Sequence, residues 1–265
     1  MKVLRAAVLF VIAALAPLAA RAAGAVFASG ERPAHFLEVY TSEGCSSCPP
    51  AEDWLGVLKT QPDLWTDFVP VAWHVDYWDK IGWKDGVGSR DNSIRQKTEA
   101  GQANASSYTP GFFLNGAEWK GWFDGRPLPP ADAPAAGVLR ATQVGDREFV
   151  VEFMPAGPDT KDMDVGAALL GMGITATPTA GENRNKHLVH DFAALASDTQ
   201  RASLSGGKYT AHFELRTALN VVPERLAVAF WVAPAGTFKA RQATGGFLAP
   251  DTPLHGPDPD HVLGR

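Results

Sequence analysis

The chain holds two cysteines among 265 residues, and both stand in the stretch YTSEGCSSCPP, as Cys45 and Cys48. A Cys-x-x-Cys can be a redox dithiol, half of a metal site or a structural staple. As a staple the spacing is poor, because so short a loop constrains the unfolded chain little. As a dithiol it is well suited. A cysteine at a helix N-terminus meets unpaired N–H groups and the positive end of the helix dipole, which favour thiolate over thiol. A second cysteine about one turn further in can attack a mixed disulfide formed on the first. Cys45 is therefore expected to attack and Cys48 to resolve.

Other residues can join them. In WHVDYWD, His74 and Asp76 share one face of a strand near its C-terminal end. His74 is the expected proton-transfer partner of the dithiol. Alternatively it completes a soft, Cu(I)- or Zn-type ligand set with both thiolates, or it merely binds loop backbone with Asp76. Trp78 and Trp83 either flank a groove or belong to the core. Glu43 either raises the Cys45 pKa or is a solvated loop acid. Glu182, His187, His190 and Asp191 lie together in GENRNKHLVHD. In a strand His187 and His190 would face opposite sides, so this stretch reads as a polar hairpin loop rather than a metal site. There is no catalytic-serine motif and no phosphate-binding glycine loop, and no organic cofactor is implied.

These residues need elements to position them. FLEVYTS (36–42) reads as a buried strand and PPAEDWLGVLKT (49–60) as a helix, whose first turn tolerates proline. Trp54, Leu55 and Leu58 can share its buried face. FVPVAWHVDYW (68–78) starts as a strand, residues 89–104 form an exposed helix, and YTPGFFLNGAEWKGW is a hairpin around Asn115-Gly116. Residues 125–136 are rich in Pro and Ala, as in a linker. Beyond them REFVVEF, KYTAHFELR and RLAVAFWVA are strands of an antiparallel, sandwich-like unit.

The first residues place Lys2 and Arg5 before an apolar run and a small-residue cleavage motif, Ala20-Arg21-Ala22, the pattern of a signal peptide over 1–22. The apolar run is short of the roughly 20 residues of a spanning helix. A periplasmic or secreted protein follows, with no membrane span after cleavage, in a compartment where a disulfide persists. The full chain carries 24 Lys+Arg and 29 Asp+Glu, a net −5. With no basic stripe, a nucleic-acid partner is not expected.

Residues 34–124 resemble the thioredoxin-like superfamily. More narrowly, EVYTSEGCSSCPPAE, WHVDYWDKIGWKD, YTPGFFLNG and GENRNKHLVHDF resemble the blocks of a bacterial exported family, domain of unknown function 1223. The resemblance implies an α/β fold: a thioredoxin-like N-terminal domain over 33–136, linker included, followed by a smaller, mostly antiparallel β domain over 137–249; the Pro- and Asp-rich composition of 250–265 reads as a disordered tail. It further implies a cis Thr109–Pro110 bond facing the dithiol, with Pro110 shaping the docking surface. Two departures from thioredoxin stand out. Val39 occupies the place of its buried acid, Glu38 pointing to the other face, and Gly44 replaces the aromatic before the first cysteine. The expected function is thiol–disulfide exchange with a substrate protein or a small thiol, recycled by an external redox partner. The rivals are a copper-type metal handler and a non-catalytic interaction module.

Overall fold

The computed structural model describes residues 24–250 and 252. The expected signal peptide, and nearly all of the expected disordered tail, lie outside the described residues. Within them the chain forms β1 (Val26–Ala28), β2 (His35–Thr41), α1 (Pro49–Leu58), β3 (Phe68–His74), α2 (Arg90–Gln102), β4 (Gly111–Leu114) and β5 (Ala117–Glu118). There follow β6 (Gly137–Gln143), β7 (Glu148–Pro155), β8 (Met163–Met172), β9 (Ile174–Ala176), β10 (Leu188–His190) and β11 (Ala193–Arg201). The chain continues as β12 (Ser203–Ser205), β13 (Lys208–Glu214), β14 (Arg225–Pro234) and β15 (Gln242–Phe247).

Two local readings hold. A helix forms within 89–104, where the structure shows Ser89 accepting from the Asn92 N–H as its cap, and Asn115 and Gly116 take the positive φ values (49° and 77°) that a tight β4–β5 hairpin needs. The fold class does not hold. The expected α/β, thioredoxin-like domain with a separate β domain is replaced by a mostly β architecture built on one eight-stranded sheet, ordered β15-β14-β8-β11-β3-β2-β4-β5. Only β2–β3 and β3–β11 are parallel. β11 joins the two halves of the chain by pairing Ala193 with Ala72 of β3, and the Phe192 carbonyl accepts the Ala72 N–H at 2.8 Å. A five-stranded antiparallel sheet, β1-β6-β7-β13-β12, and the β9–β10 pair complete the molecule.

β14 shows why. Its alternate residues enter two cores: Ala227, Ala229 and Trp231 pack with Phe36 and Trp73, while Val228, Phe230 and Val232 pack with Phe149, Phe153 and Tyr209. A strand covered on both faces reads as a continuous apolar run. RLAVAFWVA is thus a central strand, shared by both cores.

β2 places the two helices on opposite faces of this sheet. Thr41 donates to Glu52 of α1, whereas Glu38 and Tyr40 bond Arg95 and Glu99 of α2. α2 is not the exposed helix expected: Asn92, Gln96, Glu99 and Ala100 are buried. Glu38 Oε2 and Glu99 Oε1 are both buried without a donor. A proton on Glu99 satisfies both by hydrogen-bonding Glu38. Burial first, then the Glu38 charge, hold the Glu99 pKa well above its ordinary value, against the pull of Arg95. The folded state thus binds this proton more tightly than the unfolded state. Its stabilisation is complete below about pH 4.5 and declines as pH rises toward the raised pKa. Glu99→Gln, which keeps a donor toward Glu38, is expected to flatten this decline in urea midpoints measured from pH 5 to 9. An unchanged slope refutes the shared proton.

Candidate functional site

The cysteines lie where β2 hands over to α1, and they are joined as a disulfide. Pro49 and Pro50 lack N–H groups and so occupy the first turn of α1. They fix Cys48, not Cys45, as the N-cap residue, and its carbonyl accepts from the Ala51 and Glu52 N–H groups. Cys45 stands one turn earlier, with its carbonyl accepting the Cys48 N–H at 3.2 Å. Both are buried, at 1% and 0% exposure, and only Ser46 and Ser47 between them reach solvent.

The Thr109–Pro110 peptide is cis. The Thr109 carbonyl oxygen lies 3.6 Å from Cys45 Sγ. Ser47 Oγ stands 3.3 Å from that sulfur and 3.4 Å from the same carbonyl, so its one hydrogen can serve either. Trp78 donates its indole N–H to Thr109 Oγ1 at 2.8 Å. Its Cβ crowds Gly44, where an added Cβ would stand 2.7 Å away. The space beside Gly44 is thus filled by a tryptophan reaching in from after β3.

His74 ends β3 and is buried, but its partners are not the cysteines. Nδ1 bonds Asp85 Oδ2 at 2.8 Å, and its ring meets that of His190 edge-on, 4.7 Å between centroids. Asp76, expected beside it, turns toward α2 and accepts from Ser93 Oγ. Of the four residues in GENRNKHLVHD, only His190 joins His74. His187 is exposed, Glu182 accepts from the Ser46 N–H at 3.0 Å, and Asp191 pairs with Lys59. Burying three-residue β10 beside α1 turns His190 inward while its neighbour Val189 stays exposed. The Cys45–Cys48–His74 ligand set is not assembled, since each sulfur is bonded to the other.

A buried polar cluster forms instead. His190 Nδ1 contacts Glu52 Oε2, and its Nε2 lies 3.3 Å from Glu43 Oε1. Glu52 Oε1 accepts from Thr41 Oγ1 at 2.6 Å, and Glu43 Oε2 from the Trp83 indole at 2.5 Å. Asp85 also accepts from the Glu43 and Val87 N–H groups. Asn183 spans from the cluster to the disulfide, donating to the carbonyls of Glu43 and Cys45 at 2.9 and 2.8 Å. Burial opposes every charge here, and the partners overcome it. The Glu52 carboxylate first, then the nearby Glu43 carboxylate, lift His190 to about 10, while Asp85 lifts His74. In return His74 holds Asp85 down at about 2, and His190 lowers Glu52. Sequence reading missed Glu52 and Asp85. For Glu52 a signal existed, because a carboxylate on the Ala51–Leu55–Leu58 stripe of a helix must be buried with a partner; nothing local marks Asp85.

Among solved structures, Protein AGR_C_4864 from Agrobacterium tumefaciens matches at 24% identity and a TM-score of 0.55, covering 86% of this chain and 99% of that one. HBP35 of Porphyromonas gingivalis matches at 13% identity and a TM-score of 0.52, covering 87% and 79% respectively. At such identities the likeness concerns the fold alone. No curated protein matches. The family model for the protein of unknown function DUF1223 matches residues 36–233, and the chain belongs to that family.

Proposed function

We propose that the protein exchanges disulfides at Cys45–Cys48, outside the cytoplasm, with a protein or small-molecule thiol. The supporting observation is the seating of the disulfide. It lies against the N-terminus of α1, with Cys45 Sγ beside the Thr109 carbonyl and the Ser47 hydroxyl, under two exposed serines. An incoming thiolate attacks Cys45 Sγ, and Cys48 leaves as a thiolate at the helix N-terminus, where the dipole stabilises it. A second thiol of the substrate then displaces Cys45 from the mixed disulfide. The substrate loses two electrons and the Cys45–Cys48 pair gains them, and an external acceptor reoxidises the pair. Run backwards, Cys45 is the attacking thiolate and Cys48 resolves. Pro110 directs Thr109 to the sulfur. His74 acts at one remove, through the buried cluster that Glu52 joins to the cysteine helix. Among the described residues no helix is long and apolar enough to cross a membrane.

The burial of both sulfurs favours a second reading, a structural disulfide in an interaction module. One experiment separates them. Cys48→Ser, exposed under native conditions to oxidised glutathione, is expected to accumulate a stoichiometric mixed disulfide on Cys45, seen as an intact-mass shift. The wild-type pair is expected to equilibrate with glutathione in the roughly −120 to −270 mV range of exchange proteins. An unmodified Cys45, with a wild-type potential below about −300 mV, establishes the structural reading instead.

A further inference from the structure

We propose that Glu52, His74 and His190 form a three-ligand site for a divalent transition-metal ion of the zinc type, with a carboxylate and two imidazoles as donors. One candidate ligand atom from each of the three residues lies within 4.8 Å of the other two. The contacts of each side chain show how it is held. His74 Nδ1 is held by Asp85, and Nε2 is buried without a partner. Glu52 Oε1 is held by Thr41, which leaves Oε2 facing His190 Nδ1. His190 Nε2 has Glu43 Oε1 3.3 Å behind it but no hydrogen bond. His74 and Glu52 thus each have one atom held by a second group, and His74 keeps a buried Nε2 with no partner of its own. Carboxylates behind imidazoles and a hydroxyl behind a carboxylate are the usual outer shell of a metal site, because they fix ring orientation and raise ligand basicity.

Charge and access agree. Glu43, Glu52 and Asp85 bring three carboxylates into a site almost closed to water, and a buried charge must be balanced. An ion supplies the positive charge that protons on the imidazoles supply without it. Two imidazoles and a carboxylate suit zinc and its first-row neighbours, whereas a thiolate set would favour softer ions. A cavity of about 340 Å³ between the start of α1 and β10 is lined by Glu52 and by the exposed His187, so the Glu52 side of the cluster borders on it.

The test uses the mature protein, disulfide intact, stripped with a chelator. Zinc titrated against a competing chromophoric chelator is expected to bind at one ion per chain. His74→Ala and His190→Gln are expected to weaken binding more than 100-fold, and Asp85→Asn by about 10- to 100-fold. The Cys45→Ser/Cys48→Ser double variant should bind within about twofold of wild type. Cobalt in place of zinc should give visible bands without sulfur-to-metal charge transfer. Should a buried variant fail to fold, the wild type still decides: zinc must raise its melting temperature, and cobalt must report nitrogen and oxygen donors. Substoichiometric binding, equal affinity in a folded His74→Ala variant, or a charge-transfer band lost with the cysteines overturns the site. Because disulfide exchange is read on Cys45 alone, failure of either proposal leaves the other standing.

Discussion

Arg95→Leu is expected to destabilise the protein by roughly 3–5 kcal/mol, the cost of removing one partner from a buried ion pair. The Arg95 guanidinium donates Nε and Nη2 to Glu38 Oε1, where Trp73 Nε1 also donates. Glu38 and Glu99 are both fully buried, and Arg95 is the cation facing them. Its guanidinium also lies over Trp73, Trp231 and Phe238 at 4.5, 5.3 and 4.8 Å. It thus joins α2 to β3, β14 and the loop before β15, and leucine replaces neither the donors nor the planar contact. Arg95→Lys keeps the charge and loses the fork, so an intermediate loss is expected. The double variant Arg95→Leu/Glu38→Leu should be less destabilised than Arg95→Leu alone, because the stranded carboxylate is gone. Urea unfolding of the four proteins checks this ordering. A loss under about 1 kcal/mol for Arg95→Leu would show that solvent reaches Glu38 after all.

What a sequence makes legible is what neighbouring residues decide. Pro49-Pro50 set the start of α1 and Asn115-Gly116 turn the β4–β5 hairpin. The same locality misleads at larger scale. A strand–helix–strand unit with a Cys-x-x-Cys and a downstream Thr-Pro fits the α/β reading, and all these parts are present here. The fold class is decided elsewhere, by β11, β8, β14 and β15 extending the sheet beyond β3. That extension joins residues more than a hundred positions apart, such as Ala72 and Ala193. No periodicity within a window of ten residues carries such a pairing. The one available hint was the unbroken apolar run of β14, which demands cover on both faces.

The site divides the same way. Cys45 and Cys48 stand out because their signal is a short motif, while Pro110 entered through the family resemblance. His74 was noticed by type, but its acid is Asp85 rather than Asp76, since β3 ends at His74 and the chain then turns Asp76 toward α2. His190 was set aside as part of a polar loop; β10 packing beside α1 turns it inward. Glu38, noted for pointing away from the position of the thioredoxin acid, does lie on the far face, in the Arg95 network. The carboxylate closest in sequence to Cys48 on the helix is Glu52, whose N–H is bonded to the Cys48 carbonyl.

Gln242→Leu is expected to cost about 4 kcal/mol or more, on the scale of 1–3 kcal/mol for each buried group left without a partner. Gln242 opens β15 and is fully buried. Its Nε2 stands 3.0, 3.0 and 2.9 Å from the carbonyls of Gly30, Arg32 and Gly137, and its Oε1 accepts from the Ala34 and Ala243 N–H groups at 2.9 and 3.0 Å. One amide thus stands within hydrogen-bond distance of five backbone groups, its two N–H hydrogens shared among three carbonyls, and it ties the strand-free segment before β2 to the start of β6 and to β15. Leucine nearly matches its volume, so the loss isolates polar satisfaction from packing. The N–H groups of buried Ala34 and Ala243 and the carbonyl of buried Gly137 would lose their partner. Neither shorter asparagine nor charged glutamate can restore the set, and both should also destabilise. Gln143→Leu, which removes one exposed bond to the Asp146 carbonyl, serves as the control and should stay within about 0.5 kcal/mol. Against a total stability of about 5–15 kcal/mol for a protein of this kind, Gln242→Leu should shift the denaturant midpoint by a large fraction. Equal midpoints for the two leucine variants would mean that the backbone groups around residue 242 find other partners, and that the N-terminal segment is held by its apolar contacts alone.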